Sequence, residues 1–155
     1  MVSPQLFAPE TYYVATKAFL RKDGQVLILL EQAGGRWDLP GGRLGVGEFD
    51  VPLNTVLERE IREELGSEIR YRNNGPVALF RHRRPEVTTG EPEVRVLMIG
   101  FELEFLAGEI ILSNEHSDHR WVAPEEAALL LPGGQRDGME KYLNFLRSEQ
   151  RKLIY

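Results

Sequence analysis

Two runs of apolar text, YYVATKAFLR and QVLILLEQ, occupy residues 12–21 and 25–32 and flank Lys22-Asp23-Gly24. The Asp-Gly pair between them is a strong turn signal, so the stretch predicts a β-hairpin. Residues 34–47 then hold six glycines and one proline, too many for a regular element, and predict a loop. Asp50-Val51-Pro52 offers a capping residue and a proline at the start of helical text that runs to Leu65, where Gly66 ends it. Beyond the helix the pattern predicts strands at 77–83 and 94–105, a short strand at 119–122, a helix opening at Pro124 and a last helix from about 137 to 151. Strands around an early helix, with helices at the end, give an α/β (α+β) architecture in which a mixed sheet is sandwiched between helices. There are no repeats and no domain-sized linker, so residues 1–155 read as one domain.

Composition narrows the function classes. The 42% hydrophobic and 28% charged content is that of a globular chain able to bury a core, and no apolar run approaches the roughly 20 residues of a membrane span. The first thirteen residues lack a basic start followed by an apolar segment, which reads as a cytoplasmic protein. A net charge of -5 argues against a stable nucleic-acid partner, because that affinity rests on clustered Lys and Arg. One local basic patch exists, Arg81-His82-Arg83-Arg84, suited either to a small anionic ligand or to solvent. With no cysteine in the chain, any bound metal must be held by oxygen or imidazole.

The helix carries the densest chemistry. In REIREELG, residues 59–66, the acids Glu60, Glu63 and Glu64 crowd one side of a helix whose apolar stripe is Leu53, Leu57, Ile61 and Leu65. At about 100° per residue Glu64 falls almost in line with Leu57, Glu60 beside it and Glu63 beyond, so the acids fringe the buried face. Like charges at i,i+3 and i,i+4 cost roughly 0.2–0.5 kcal/mol a pair even when exposed, and more when buried. Positive charge must sit there, from arginines such as Arg62 or from a hard divalent cation, for which carboxylate oxygens are natural donors. Immediately before the helix, LPGGRLGVGE places glycines where backbone can approach a ligand closely.

Gly42, Glu48, Arg59-Glu60-Ile61, Glu63-Glu64 and Gly66, with the lead-in WDLPG at 37–41, together resemble the signature box of the Nudix (MutT-like) hydrolase family. Two features depart from the box. Ten residues separate Glu48 from Arg59 where the pattern has seven, and Ser67 stands at an aliphatic position. Three extra residues inside a helix would rotate it by about 300°, so the insertion is expected before the helix begins, and Ile69 is expected to replace the missing apolar contact. The resemblance implies the Nudix fold and a Mg²⁺-dependent pyrophosphohydrolase, Mn²⁺ substituting. Glu60, Glu63, Glu64 and the Gly41 carbonyl would be metal ligands, Gly42, Glu48, Arg59 and Gly66 would support the site, and Glu63, Glu64 and Glu115 would be catalytic. The general base stays open between a box glutamate, Glu115 and Asp118. His116 and His119, three residues apart, read as lining the site or the surface, and Trp37, Phe80 and Trp121 as core.

The implied substrate is a nucleoside diphosphate linked to another group, such as ADP-ribose, a nucleotide sugar or a nucleoside triphosphate. The segment 71–93 carries no signature that selects among them, although Arg81, Arg83 and Arg84 could bind a phosphate or sugar diphosphate. The alternative is a Nudix-fold nucleotide-binding or regulatory module without turnover, and the intact acid triad argues against it. A homodimer paired or exchanged through the N-terminal strand stays open.

Overall fold

The computed structural model describes residues 7–84 and 93–153. Strands β1 (Tyr13–Lys22) and β2 (Gln25–Glu31) form the expected hairpin, closed by Asp23 and Gly24. Both turn residues take positive φ, 51° and 76°, the conformation whose twist matches the flanking strands. β1 then runs parallel to β6 (Val94–Ala107), which pairs antiparallel with β5 (Arg70–Arg84). On the other side β2 pairs with β3 (Trp37–Asp38) and with β7 (His116–Val122), while β4 (Gly41–Arg43) pairs with β1. The sheet is therefore mixed, in the order β3-β2-β1-β6-β5.

Helices cover both faces, which explains why β1 and β2 read as continuous apolar runs rather than alternating ones. Ala15, Phe19, Val26 and Ile28 point into a core completed by α2 (Pro124–Leu130) and α3 (Gly133–Lys152). Their neighbours Ala18, Leu20, Leu27 and Leu29 point the other way, against Leu57, Ile61 and Leu65 of α1 (Leu53–Leu65). Each face is thus paid in apolar contact, and α1 is pinned with its stripe inward. Ile69 is buried in the same cluster and supplies the contact that Ser67 cannot. No helix among the described residues is long and apolar enough to cross a membrane.

Several expectations need correction. The glycine-rich stretch contains the short strands β3 and β4, because β2 and β1 each have an open flank there. β5 begins at Arg70, seven residues early. Asn73-Asn74-Gly75-Pro76 is not a terminating turn but a register shift within the strand, with the Gly75 amide donating to the Asn73 side chain at 2.8 Å. β7 likewise starts at His116 rather than 119. Helix α3 starts at Gly133 rather than about 137: a Cβ on Gly134 would lie 1.7 Å from the Arg81 carbonyl, so the helix's first turn abuts β5 only because it has no side chain there. Asp50 does not cap α1. Pro52 holds the N-cap position without a side-chain hydrogen bond, and Asp50 lies outside it in the preceding turn. Finally, β1 is internal to the sheet rather than an edge, so it offers no free edge for pairing. Phe80 is core as expected, whereas Trp37 and Trp121 are half-buried and carry Arg120 and Lys22 over their rings.

Candidate active site

The site lies where α1 meets the loop of residues 39–45. Gly41 takes φ +123°, and a Cβ there would sit 2.1 Å from the Thr16 carbonyl; a Cβ on Gly42 would meet the Glu60 carboxylate at 2.5–2.7 Å. Only backbone fits between β1 and the acids of α1. The three box glutamates are graded by depth. Glu64 is buried, 4% exposed, and accepts a hydrogen bond from the Gly41 amide at 2.9 Å. Glu60 is half-buried and Glu63 is exposed, so the fringe expected from the wheel holds for two of the three.

Arg59 gathers the outer acids. Its Nε and Nη2 donate to the two carboxylate oxygens of Glu48 at 2.6 and 2.9 Å, and its Nη1 lies 2.9 Å from Glu60 and 3.0 Å from Glu63. Glu48 also accepts from the Gly45 amide at 2.6 Å. The arginine and this amide hold the Glu48 carboxyl below the usual carboxylate range, and Glu48 in turn raises Arg59. The brace between loop and helix is therefore present despite the ten-residue spacing. The extra length is taken up in residues 49–52, where the Val51 amide turns back to the Glu48 carbonyl at 3.1 Å before α1 begins. At the far end Gly66, φ +86°, stops the helix and its amide bonds the Arg62 carbonyl.

A second cation, not anticipated from the sequence, organises the inner side. Lys17 is 4% exposed in the middle of β1. Its Nζ donates to both oxygens of buried Asp38 at 2.9 and 3.1 Å, to the Leu39 carbonyl at 2.9 Å and to the Gly41 carbonyl at 3.1 Å. The Leu39 amide is held in turn by buried Gln135 of α3, at 2.8 Å. The signal was available: a lysine among the apolar residues of a central strand requires an acid partner, and Asp38 stands in the lead-in to the glycine pair.

Burial pushes the Glu64 carboxyl up to about 8 from an ordinary 4.5, with Asp38 and Glu60 raising it further and Lys17 and the Gly41 amide opposing. Burial also raises Glu60, against the pull of Arg59. One ligating atom each from Glu64, Glu115 and His116 lie within 4.8 Å of one another. The buried Glu64 carboxyl, the exposed Glu115 carboxylate and the buried His116 Nδ1, which has no hydrogen-bond partner among the described residues, form a donor set that fits a divalent cation. Asp118 and His119 are not in this group; the Asp118 side chain accepts from the His119 amide at 2.8 Å. On β5 the regular alternation puts His82 and Arg84 on one face and Arg81 and Arg83 on the other. Asp38, Lys17 and Arg84 all act on His82, whose imidazole burial pushes down. Arg81 and Arg83 instead line a cleft of about 640 Å³ with Tyr12, Arg95 and Lys141, to which no box glutamate contributes. The part of the segment at 85–92 lies outside the described residues.

Two consequences are measurable. Lys17→Met leaves Asp38 buried and unpaired and two carbonyls without a donor; chemical denaturation should show a loss of about 3–5 kcal/mol, largely recovered in Lys17→Met/Asp38→Leu. The raised Glu64 carboxyl means the folded, metal-free protein holds a proton there that the unfolded chain releases near pH 4.5. Stability should therefore fall as pH rises between 4.5 and about 8 in chelator. Glu64→Gln should lack that fall, so its profile subtracted from that of wild type should leave the fall alone.

A sequence model of the NUDIX domain matches residues 11–143. The nucleoside triphosphatase NudI of Salmonella newport is 31% identical over 103 residues, 61% of this chain and 67% of NudI. Among solved structures, the MutT protein of Methanosarcina mazei Go1 superposes with a TM-score of 0.71 at 26% identity, over 89% of this chain and 97% of that one. An ADP-ribose pyrophosphatase of Streptococcus suis superposes at 0.55 and 23% identity over 74% and 76%, a likeness of fold. The family match spans the site and both helical layers, and the chain belongs to the Nudix hydrolases, enzymes that act on phosphorus-containing acid anhydrides.

Proposed function

We propose that this hydrolase is a divalent-metal-dependent pyrophosphohydrolase that cleaves a nucleoside diphosphate linked to another group. The observation that carries the reading is the meeting of Glu60 and Glu64 with the side-chain-free backbone at Gly41 and Gly42, with Glu115 alongside. Glu60, Glu64, Glu115 and the Gly41 carbonyl are the proposed metal donors, and Glu63 at the exposed rim is the outermost. A carbonyl has two lone pairs, so Lys17 can orient that of Gly41 and leave one for a cation. A divalent ion held there, Mg²⁺ or Mn²⁺, would polarise phosphoryl oxygens and lower the pKa of bound water.

The chain's own residues do the rest. Arg59 and Glu48 fix the loop against α1, so the acids keep their spacing when the site is loaded. Glu115 is assigned the proton of the attacking water: the water oxygen bonds phosphorus, the bridging P–O bond breaks, and the leaving phosphate carries away its electron pair. Arg84 is assigned to the far phosphate or sugar, because it shares with His82 the face of β5 opposite to Arg81 and Arg83, where it lies 3.7 Å from Glu31. A nucleoside triphosphate is the first substrate to try, since NudI is a nucleoside triphosphatase; ADP-ribose and nucleotide sugars complete the class.

Hydrolysis of nucleoside triphosphates, ADP-ribose, nucleotide sugars and diadenosine polyphosphates with Mg²⁺ or Mn²⁺ should give products identifiable by mass. Glu64→Gln should lower the rate by at least a hundredfold while remaining folded. A folded wild type that binds metal and cleaves none of these would favour a binding module instead.

A further inference from the structure

His116 is one of only three histidines in the chain, and it is 7% exposed. Its Nδ1 is buried with no hydrogen-bond partner among the described residues, a costly state unless something takes the lone pair or proton. The backbone aims this ring deliberately. Leu30 pairs with Asp118 but Glu31 pairs with His116, so Ser117 is an extra residue in β7, and such a bulge re-aims the side chain beside it. The Glu115 carbonyl accepts from the Gln32 amide at 2.8 Å and the His116 amide donates to the Ser113 carbonyl at 3.3 Å, fixing the turn that precedes the ring. A ring nitrogen of His116 then stands within 4.8 Å of carboxylate oxygens of Glu64 and Glu115.

We propose that His116 supplies an imidazole nitrogen to the cation site, making it a mixed nitrogen–oxygen site that prefers Mn²⁺ and other first-row transition ions to Mg²⁺. The inference rests on the reading that a divalent cation sits between Glu64 and Glu115, and goes beyond it by adding a nitrogen donor and a metal preference. An all-oxygen set suits Mg²⁺, whereas imidazole raises affinity along the transition series. The groups acting on the ring are Asp38, Lys17, Glu115 and Glu31. Asp38 is already paired with Lys17 at 2.9 Å, and Glu31 lies 3.6 Å from Arg36 and 3.7 Å from Arg84, which leaves Glu115, and Glu64 beside it, as the acids that complete the set.

The test is pulsed EPR of the Mn²⁺-loaded protein, which detects a coordinated imidazole through its ¹⁴N coupling, for wild type, His82→Gln, His116→Gln and His119→Gln. Wild type, His82→Gln and His119→Gln should show the coupling and His116→Gln should not. Calorimetry should show Mn²⁺ affinity at least tenfold lower in His116→Gln, with a smaller change for Mg²⁺. Bound Mn²⁺ without nitrogen coupling, or coupling that survives in His116→Gln, overturns the inference and leaves the hydrolase reading standing. Absence of bound Mn²⁺ overturns both. If His116→Gln does not fold, coupling retained in both other variants assigns it to His116, and coupling lost in either of them overturns it.

Discussion

Two carboxylates of α1 are pressed against a backbone that has no side chains. A single methyl group at Gly42 would occupy the space of the Glu60 carboxylate, and one at Gly41 would strike the Thr16 carbonyl. That steric allowance lets strand β4 lie on β1 while the helix packs beside both. It also forces acids into a place where water is scarce, so their charge has to be answered locally. The rest of the site is arranged around that demand.

Two protein cations answer it from opposite sides. Arg59 reaches Glu48, Glu60 and Glu63 at the outer rim, and Lys17 holds Asp38 and two loop carbonyls from within. Among the described residues neither makes a salt bridge to Glu64, the deepest acid, which accepts from the Gly41 amide. Charge compensation thus stops one step short of the site's centre, at the position where the proposed cation would sit. The two-faced core makes this possible: α1 is locked by Leu57, Ile61 and Leu65 on one side of the sheet. On the other, α3 sends Gln135 through to the Leu39 amide. Both helical layers therefore set the position of one short loop.

Much of this was legible in the sequence because it is local. The Asp-Gly hairpin, the apolar stripe of α1, the Gly66 stop and the pairing of loop with helix through Glu48 and Arg59 each depend on residues close in the chain or on a motif. Even the longer spacing resolves locally, since residues 49–52 absorb the extra length before the first helical turn. The failures share a cause. The expected starts at 77 and 137 fall just beyond Gly75 and Gly133-Gly134, but the elements run through these glycines by a bulge and by a close approach to β5. The internal position of β1 follows from a parallel pairing with β6, some eighty residues away. Lys17 signals in its own strand only that an acid must meet it, and both Lys17 and His116 become part of the site only when β1, β7 and α1 converge.

Binding of Mn²⁺ to wild type and Gly42→Ala, measured by calorimetry alongside thermal unfolding of the metal-free proteins, tests the account most directly. The added methyl meets only the end of the Glu60 side chain, which can swing aside, so the fold should persist while the carboxylate is displaced. The account predicts metal affinity at least tenfold weaker in the variant. Equal affinity in a folded Gly42→Ala would contradict it, because the close approach of bare backbone to the α1 acids would then have no bearing on the cation.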